Sequence, residues 1–159
     1  AHFHASKRNT LILRYNDQRG FGSRKHIDVW WGGRKGNGAL MLILGWLLGT
    51  SLEWRGATVT IKMVVPTHQA AEGAHHNLER ILQASRTGAR MEVLVSEGRP
   101  FWDVLSESSA SADLVFLGMA APNDEYATYY SRLQEQTSNL PSTVFVLAAE
   151  ELEFGDVIM

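Results

Sequence analysis

Residues 24–48 constrain the fold more than any other segment of this chain. A strand-like run at 27–31 enters a glycine-rich loop at 32–38, and the loop leads directly into an almost wholly apolar segment at 39–48. A strand, a glycine loop and a buried helix in this order form the first unit of an open α/β sheet. In such sheets ligands bind beside this kind of loop, at the carboxyl ends of the strands.

The rest of the chain alternates strand and helix patterns, which predicts a regular α/β fold. The predicted strands lie at 10–15, 26–31, 57–65, 91–96, 113–119 and 142–148. The predicted helices follow the glycine loop, span 68–86, open at Pro100, and precede Pro141. Near-continuous apolar strands joined by helices are typical of a mostly parallel sheet covered on both faces. We therefore predict an α/β three-layer sandwich with helices on both faces of the sheet.

The amino-terminal part adds a strand before this alternation. Turn-forming residues at 16–23 separate the first two predicted strands, so the sequence favours a β-hairpin there. Residues 1–8 are expected to be a disordered linker, and residues 9–159 a single α/β domain.

Composition excludes several classes of protein. The chain contains no cysteine, which rules out disulfides, thiolate metal sites and cysteine nucleophiles. The apolar stretch at 38–52 is shorter than the roughly 20 residues of a bilayer span, so we interpret it as a buried helix. The net charge of −2 also argues against nucleic-acid binding, because the basic residues are not interleaved with stacking aromatics.

Charge is unevenly distributed along the chain. Residues 1–35 contain eight Lys or Arg against two Asp, a net charge of +6, whereas the remaining residues have seven bases and fifteen acids, a net charge of −8. Such asymmetry can orient a domain against an anionic membrane surface. Solvated turns explain it equally well.

The glycine loop is the main candidate binding site. Its glycines permit tight backbone turns, and the free N–H groups of the following helix can bind an anion. The candidate anion- or phosphate-binding residues are Gly33, Arg34, Lys35, Gly36, Asn37 and Gly38. The spacing matches neither of the common nucleotide-binding glycine motifs. The competing interpretation is a strand-to-helix turn whose glycines let the helix pack closely on the sheet.

A second candidate is a stripe of His68, Glu72, His75 and Glu79, which the helical period places along one side of the predicted helix at 68–86. These side chains are of the types that bind zinc. Polar residues normally border the apolar face of such a helix, so we favour a solvated face and predict no metal site.

Two further features bear on chemistry. The serines at 106, 108, 109 and 111 lack the G-x-S-x-G pattern of a nucleophile, and we predict no catalytic residues. Asp28 lies within a strand predicted to be buried. It therefore needs a partner or a position that faces solvent.

The chain resembles the cytosolic carboxyl-terminal domain of prokaryotic cation–chloride cotransporters, the microbial relatives of the sodium–potassium–chloride transporters. The resemblance runs from about residue 9 to the end and includes a V-W-W-G-G-x-x-x-N-G-x-L-M motif. It rests on three segments: LILRYNDQRGFGSRKHIDVWWGGRKGNGALMLILGWLL, EWRGATVTIKMVV and ADLVFLGMAAP.

This resemblance implies a non-catalytic regulatory domain on the cytoplasmic side of the cell membrane. Its partners would be a second copy of itself and a membrane-embedded transport domain that precedes Ala1. The domain of that family is similar in fold to universal stress proteins, some of which bind ATP. Trp31 stands roughly where those proteins have an Asp, and the glycines they carry after Gly118 are missing. The resemblance therefore implies no cofactor, and at most a vestigial nucleotide site.

Two alternatives remain open from the sequence. The chain could be a nucleotide- or anion-sensing module that uses the loop at 33–38. It could also be a small hydrolase or metal protein built on the helix that carries His68 and His75.

Overall fold

The computed structural model describes residues 8–32, 35–120 and 125–149. The described part contains six strands and four helices. In chain order they are β1 Thr10–Arg14, β2 His26–Trp30, α1 Lys35–Thr50, β3 Thr58–Val65, α2 His68–Ser85, β4 Arg90–Val95, α3 Phe101–Ser108, β5 Leu114–Gly118, α4 Tyr126–Gln136 and β6 Thr143–Leu147. The predicted elements are confirmed within a few residues at their ends. Residues 1–7 of the predicted linker lie outside the described residues.

The six strands form one sheet in the order β1-β6-β5-β2-β3-β4. All neighbouring pairs are parallel except β1 with β6. From β2 the chain first adds β3 and β4 on one side, and then crosses to add β5 and β6 on the other. The strand order therefore reverses between β2 and β5, and ligands of open α/β sheets bind at such a switch point.

Helices cover both faces of the sheet. On one face α1 and α2 pack over an apolar core that includes Ile27, Ile61, Phe116 and Val146. On the other face α3 and α4 pack over a second core, which includes Trp30, Val115, Leu117 and Phe145. Strands with both faces buried explain the near-continuous apolar runs in the sequence. The predicted three-layer α/β sandwich is confirmed.

The predicted amino-terminal hairpin is wrong. β1 pairs with β6 in antiparallel register, Thr10 opposite Leu147 and Arg14 opposite Thr143. Two strands, β6 and β5, separate β1 from β2 in the sheet. Turn residues between two strands indicate only that the chain reverses direction. Here the strand after the turn, β2, lies in the same sheet but is not a neighbour of β1.

Asp113 holds this long connection in place. Its carboxylate accepts hydrogen bonds from the backbone N–H groups of Ser23 (3.2 Å), Lys25 (2.8 Å) and His26 (3.0 Å), and from the Ser23 hydroxyl (3.0 Å). A Cβ at Gly22 would lie 2.2 Å from Asp113 Oδ1, and Gly22 has a φ of +52°, so only glycine fits there. Burial raises the pKa of Asp113, but the hydrogen bonds from Lys25, His26 and Ser23 outweigh it, and the net pKa is lowered.

We expect Asp113→Asn to lower the free energy of unfolding at pH 7 by about 1–3 kcal/mol, because an amide leaves some of these donors unpaired. The folded-state pKa is below the unfolded value of about 3.9, so the stabilisation is present above that pH and is lost as the pH falls through the folded-state pKa. The difference between the native protein and the variant should therefore shrink below about pH 4. Urea unfolding across this range measures it, with the exposed Asp17→Asn as control. A constant difference would contradict the assignment.

Candidate functional site

The glycine loop lies at the carboxyl end of β2, at the switch point. Gly33 and Arg34 lie outside the described residues, and Lys35 is the first residue of α1. Asn37 and Gly38 occupy the first turn of α1. The contacts of Asn37 and Gly38 indicate a structural role for both residues.

Asn37 joins α1 to the carboxyl ends of two strands. Its side chain is buried, with a residue exposure of 2%. The amide Nδ2 donates to the backbone carbonyl of Met119 (2.9 Å), and Oδ1 accepts from the backbone N–H of Ala148 (2.7 Å). Met119 and Ala148 directly follow β5 and β6. Both functional ends of the Asn37 amide are thus bonded to the protein.

Glycines allow close packing around this joint. A Cβ at Gly38 would lie 2.7 Å from the Trp31 ring, and one at Gly118 would lie 3.1 Å from Asn37 Nδ2. Both distances are shorter than a side chain normally tolerates. For Gly38 the packing interpretation of the loop is confirmed. Anion binding at Gly33, Arg34, Lys35 and Gly36 stays a prediction.

A buried polar network lies between the end of α3 and the strands β2 and β3. Lys62 Nζ lies 3.1 Å from Asp28 Oδ2, and both side chains are 8% exposed. Lys62 also donates to the carbonyl (2.9 Å) and hydroxyl (2.8 Å) of Ser108. Ser109 Oγ donates to Asp28 Oδ2 (2.7 Å) and accepts from Trp30 Nε1 (3.0 Å). The partner that Asp28 requires is therefore Lys62, assisted by Ser109.

This network resembles a serine–lysine pair but is not arranged as one. A catalytic lysine must be neutral to accept a proton from serine, whereas Lys62 is ion-paired to Asp28 and donates to Ser108. Glu92 adds a second carboxylate 3.8 Å from Lys62 Nζ. The contacts fix the end of α3 on the sheet. A lysine inside the apolar run at 57–65 is the sequence signal that could have suggested this pair.

The histidine stripe does not form a metal centre in the described structure. In residues 8–32, 35–120 and 125–149, no group of three or more His, Asp or Glu side chains is placed to hold a metal ion. His68 Nε2 instead lies 2.7 Å from Glu97 Oε1 in the connection after β4. Both side chains are largely exposed, so this contact lies in solvent.

In β1 and α1, four large apolar side chains are about half exposed on the face of the sheet that α1 and α2 cover. Leu11 and Leu13 of β1 are paired with Val146 and Val144, which pack in the core beneath α1. We call this set, whose members share one face of the sheet, the apolar surface: Leu11 (50% exposed), Leu13 (53%), Trp46 (45%) and Leu47 (49%). The last two lie on α1, which has no charged residue after Lys35. Trp46 lies on the side of α1 that borders the α2–β4 connection, away from β1.

None of the helices formed by the described residues has both the length and the apolarity needed to cross a membrane. The helix predicted from the apolar stretch at 38–52 is α1, which is buried where it faces the sheet and exposes Trp46 and Leu47 by about half.

Comparison with known proteins gives a structural match. The chain matches no protein-family profile and no curated protein sequence. It is similar in structure to the crystal structure of the cytoplasmic domain of a prokaryotic cation chloride cotransporter, with a TM-score of 0.66 and 21% sequence identity. The match covers 98% of this chain and 58% of that one, so this chain spans little more than half the length of its structural relative. At this identity the match establishes the fold. The fold expected from the sequence resemblance, a three-layer sandwich of the universal-stress-protein kind, is confirmed.

Proposed function

We propose that this chain is a non-catalytic cytosolic regulatory domain of a membrane cation–chloride cotransporter. The observation that carries the proposal is the structural match to the cytoplasmic domain of such a transporter over 98% of the chain. The domain regulates transport by associating with a second copy and with the transport domain, which shifts the populations of transporter conformations. The +6 charge of residues 1–35 suits a position at the anionic cytoplasmic leaflet.

The chemistry of the described side chains supports a role without catalysis. The buried polar groups most suited to chemistry, those of Asp28, Lys62 and Ser109, are bonded to one another. The amide of Asn37, at the position where ligands of this fold bind, holds α1 against the ends of β5 and β6.

The apolar surface supports association. A helix that is apolar all round is normally buried on every side. In α1, Trp46 and Leu47 are nevertheless about half exposed, and β1 next to β6 exposes Leu11 and Leu13 on the same face. β1 is also an edge strand, whose outer backbone groups can pair with another chain. We assign the association surface to this face.

We expect the chain to form dimers in solution, and Leu47→Glu to raise the dimer dissociation constant by at least about tenfold, because a buried charge replaces an apolar contact. Light scattering over a range of protein concentrations measures this. Phe101→Glu is the matched control, since Phe101 is 43% exposed on the opposite face of the sheet. Circular dichroism verifies that both variants are folded.

A native chain that stays monomeric at all concentrations, or a dimer that Leu47→Glu leaves unchanged, would contradict the assigned surface. The regulatory role has its own measurement, chloride-dependent cation flux in membrane vesicles that contain the full-length protein. Leu47→Glu should change the flux per transporter molecule. An unchanged flux would reject regulation through this face.

A further inference from the structure

A cavity opens between α3 and α4 at the carboxyl ends of β2, β3 and β5. It has a volume of about 490 Å³, within the usual range for small-molecule sites. It lies at the switch point where the strand order reverses between β2 and β5. Gly32, at the start of the glycine loop, borders the cavity, and the other described lining residues lie outside that loop.

Four aromatic side chains contribute to the walls: Trp30, Phe101, Trp102 and Tyr129. Trp31 also borders the cavity, but its ring packs against Gly38 of α1, on the other face of the sheet. Trp30 meets Phe101 edge-to-face, with ring centroids 6.1 Å apart, and Phe101 meets Trp102 in the same way at 5.1 Å. The indole N–H of Trp30 is bonded to Ser109, which fixes that ring. A preformed aromatic wall favours a ligand with a flat aromatic body.

Arg132 is the single charged residue in the described lining. It projects from α4 and is exposed, and it makes no hydrogen bond or ion pair with the described part of the chain. Gln136, one turn further along α4, also lines the cavity, and its side-chain amide makes no hydrogen bond with the described part of the chain. A guanidinium presents a planar fork of donors that matches one carboxylate or a similar anion.

We propose that this cavity binds a small aromatic monoanion. Its ring stacks against Phe101 and Trp102, and its anionic group pairs with Arg132. Arg132 is the one cation that the described lining supplies, which favours a monoanion over a nucleoside triphosphate. The site is independent of the proposed function, because neither dimerisation nor the assigned surface involves these residues.

The test is titration of the purified chain with indole-3-acetate, a monoanion, and indole-3-acetamide, its neutral counterpart. Calorimetry measures binding, and intrinsic fluorescence locates it, because three of the five tryptophans line the cavity. We expect the acetate to bind about tenfold more tightly than the acetamide, since only the acetate forms an ion pair with Arg132.

Arg132→Gln decides the role of the cation. It should abolish the preference for the acetate and leave the acetamide affinity unchanged, whereas Arg80→Gln, at an exposed position on α2 across the sheet, should leave both affinities unchanged. Trp102→Ala should weaken both ligands. The proposal is overturned by absence of binding, by equal affinities in the native chain, by a preference that survives Arg132→Gln, or by tighter binding of ATP.

Discussion

Replacing Lys62 with Met is expected to lower the free energy of unfolding by about 3–5 kcal/mol, the usual cost of removing one partner from a buried ion pair. The substitution removes the only cation near Asp28 Oδ2 among the described contacts and leaves a carboxylate that is 8% exposed. The hydroxyl of Ser109 still donates to Asp28, but a neutral hydrogen bond does not replace the lost charge. Urea unfolding at neutral pH measures the change.

Two further variants separate the ion pair from other effects of the substitution. Lys25→Met makes the same change at an exposed lysine, whose Nζ donates to the carbonyl of Arg55 (3.0 Å), and should cost less than about 1 kcal/mol. The double variant Asp28→Val with Lys62→Met should recover most of the loss, because apolar residues commonly replace a buried pair at little cost. A cost for Lys62→Met no greater than that for Lys25→Met would contradict a stabilising buried ion pair.

Asn37→Ala is expected to cost about 2–4 kcal/mol, because it leaves two backbone groups without partners at the joint between α1 and the sheet. The carbonyl of Met119 and the N–H of Ala148 would both lose the hydrogen bonds that the native side chain supplies. Asn37 is 2% exposed, so water reaches these groups only if the helix end moves away. Urea unfolding gives the total cost.

Hydrogen exchange tests the local part of this prediction. The amide of Ala148 should be protected in the native chain and exchange faster in Asn37→Ala. Asn77→Ala removes an exposed asparagine from α2 and should change stability by less than about 0.5 kcal/mol. If Asn37→Ala behaves like Asn77→Ala, the side chain is not the structural joint that its contacts indicate, and an anion-binding role for the loop gains support.

The sequence predicted the fold class and the order of elements correctly. The strand predicted at 57–65 is β3, Thr58–Val65, and the helix predicted at 68–86 is α2, His68–Ser85. These elements depend on the local spacing of apolar residues and on boundary residues such as Pro66. Thr67, for example, caps α2 by accepting a hydrogen bond from the N–H of Ala70.

The candidate site was predicted only in part. The sequence indicated the strand-to-helix loop and the need for a partner to Asp28. It did not reveal that Lys62 is that partner, nor that Trp30, Phe101 and Trp102 gather around one cavity. Trp30 belongs to β2, whereas Phe101 and Trp102 belong to α3, so their proximity depends on how α3 crosses the sheet.

The sequence by itself determined the alternation of strands and helices, the apolar character of α1, and the three-layer class, because each follows from patterns within about twenty residues. Only the tertiary structure decided that β1 pairs with β6, and that the Asn37 amide bridges Met119 and Ala148, 82 and 111 positions away. Such contacts depend on the relative placement of whole elements. Turn residues at 16–23 predict that the chain reverses direction, but the strand that β1 joins is chosen by packing across the entire sheet.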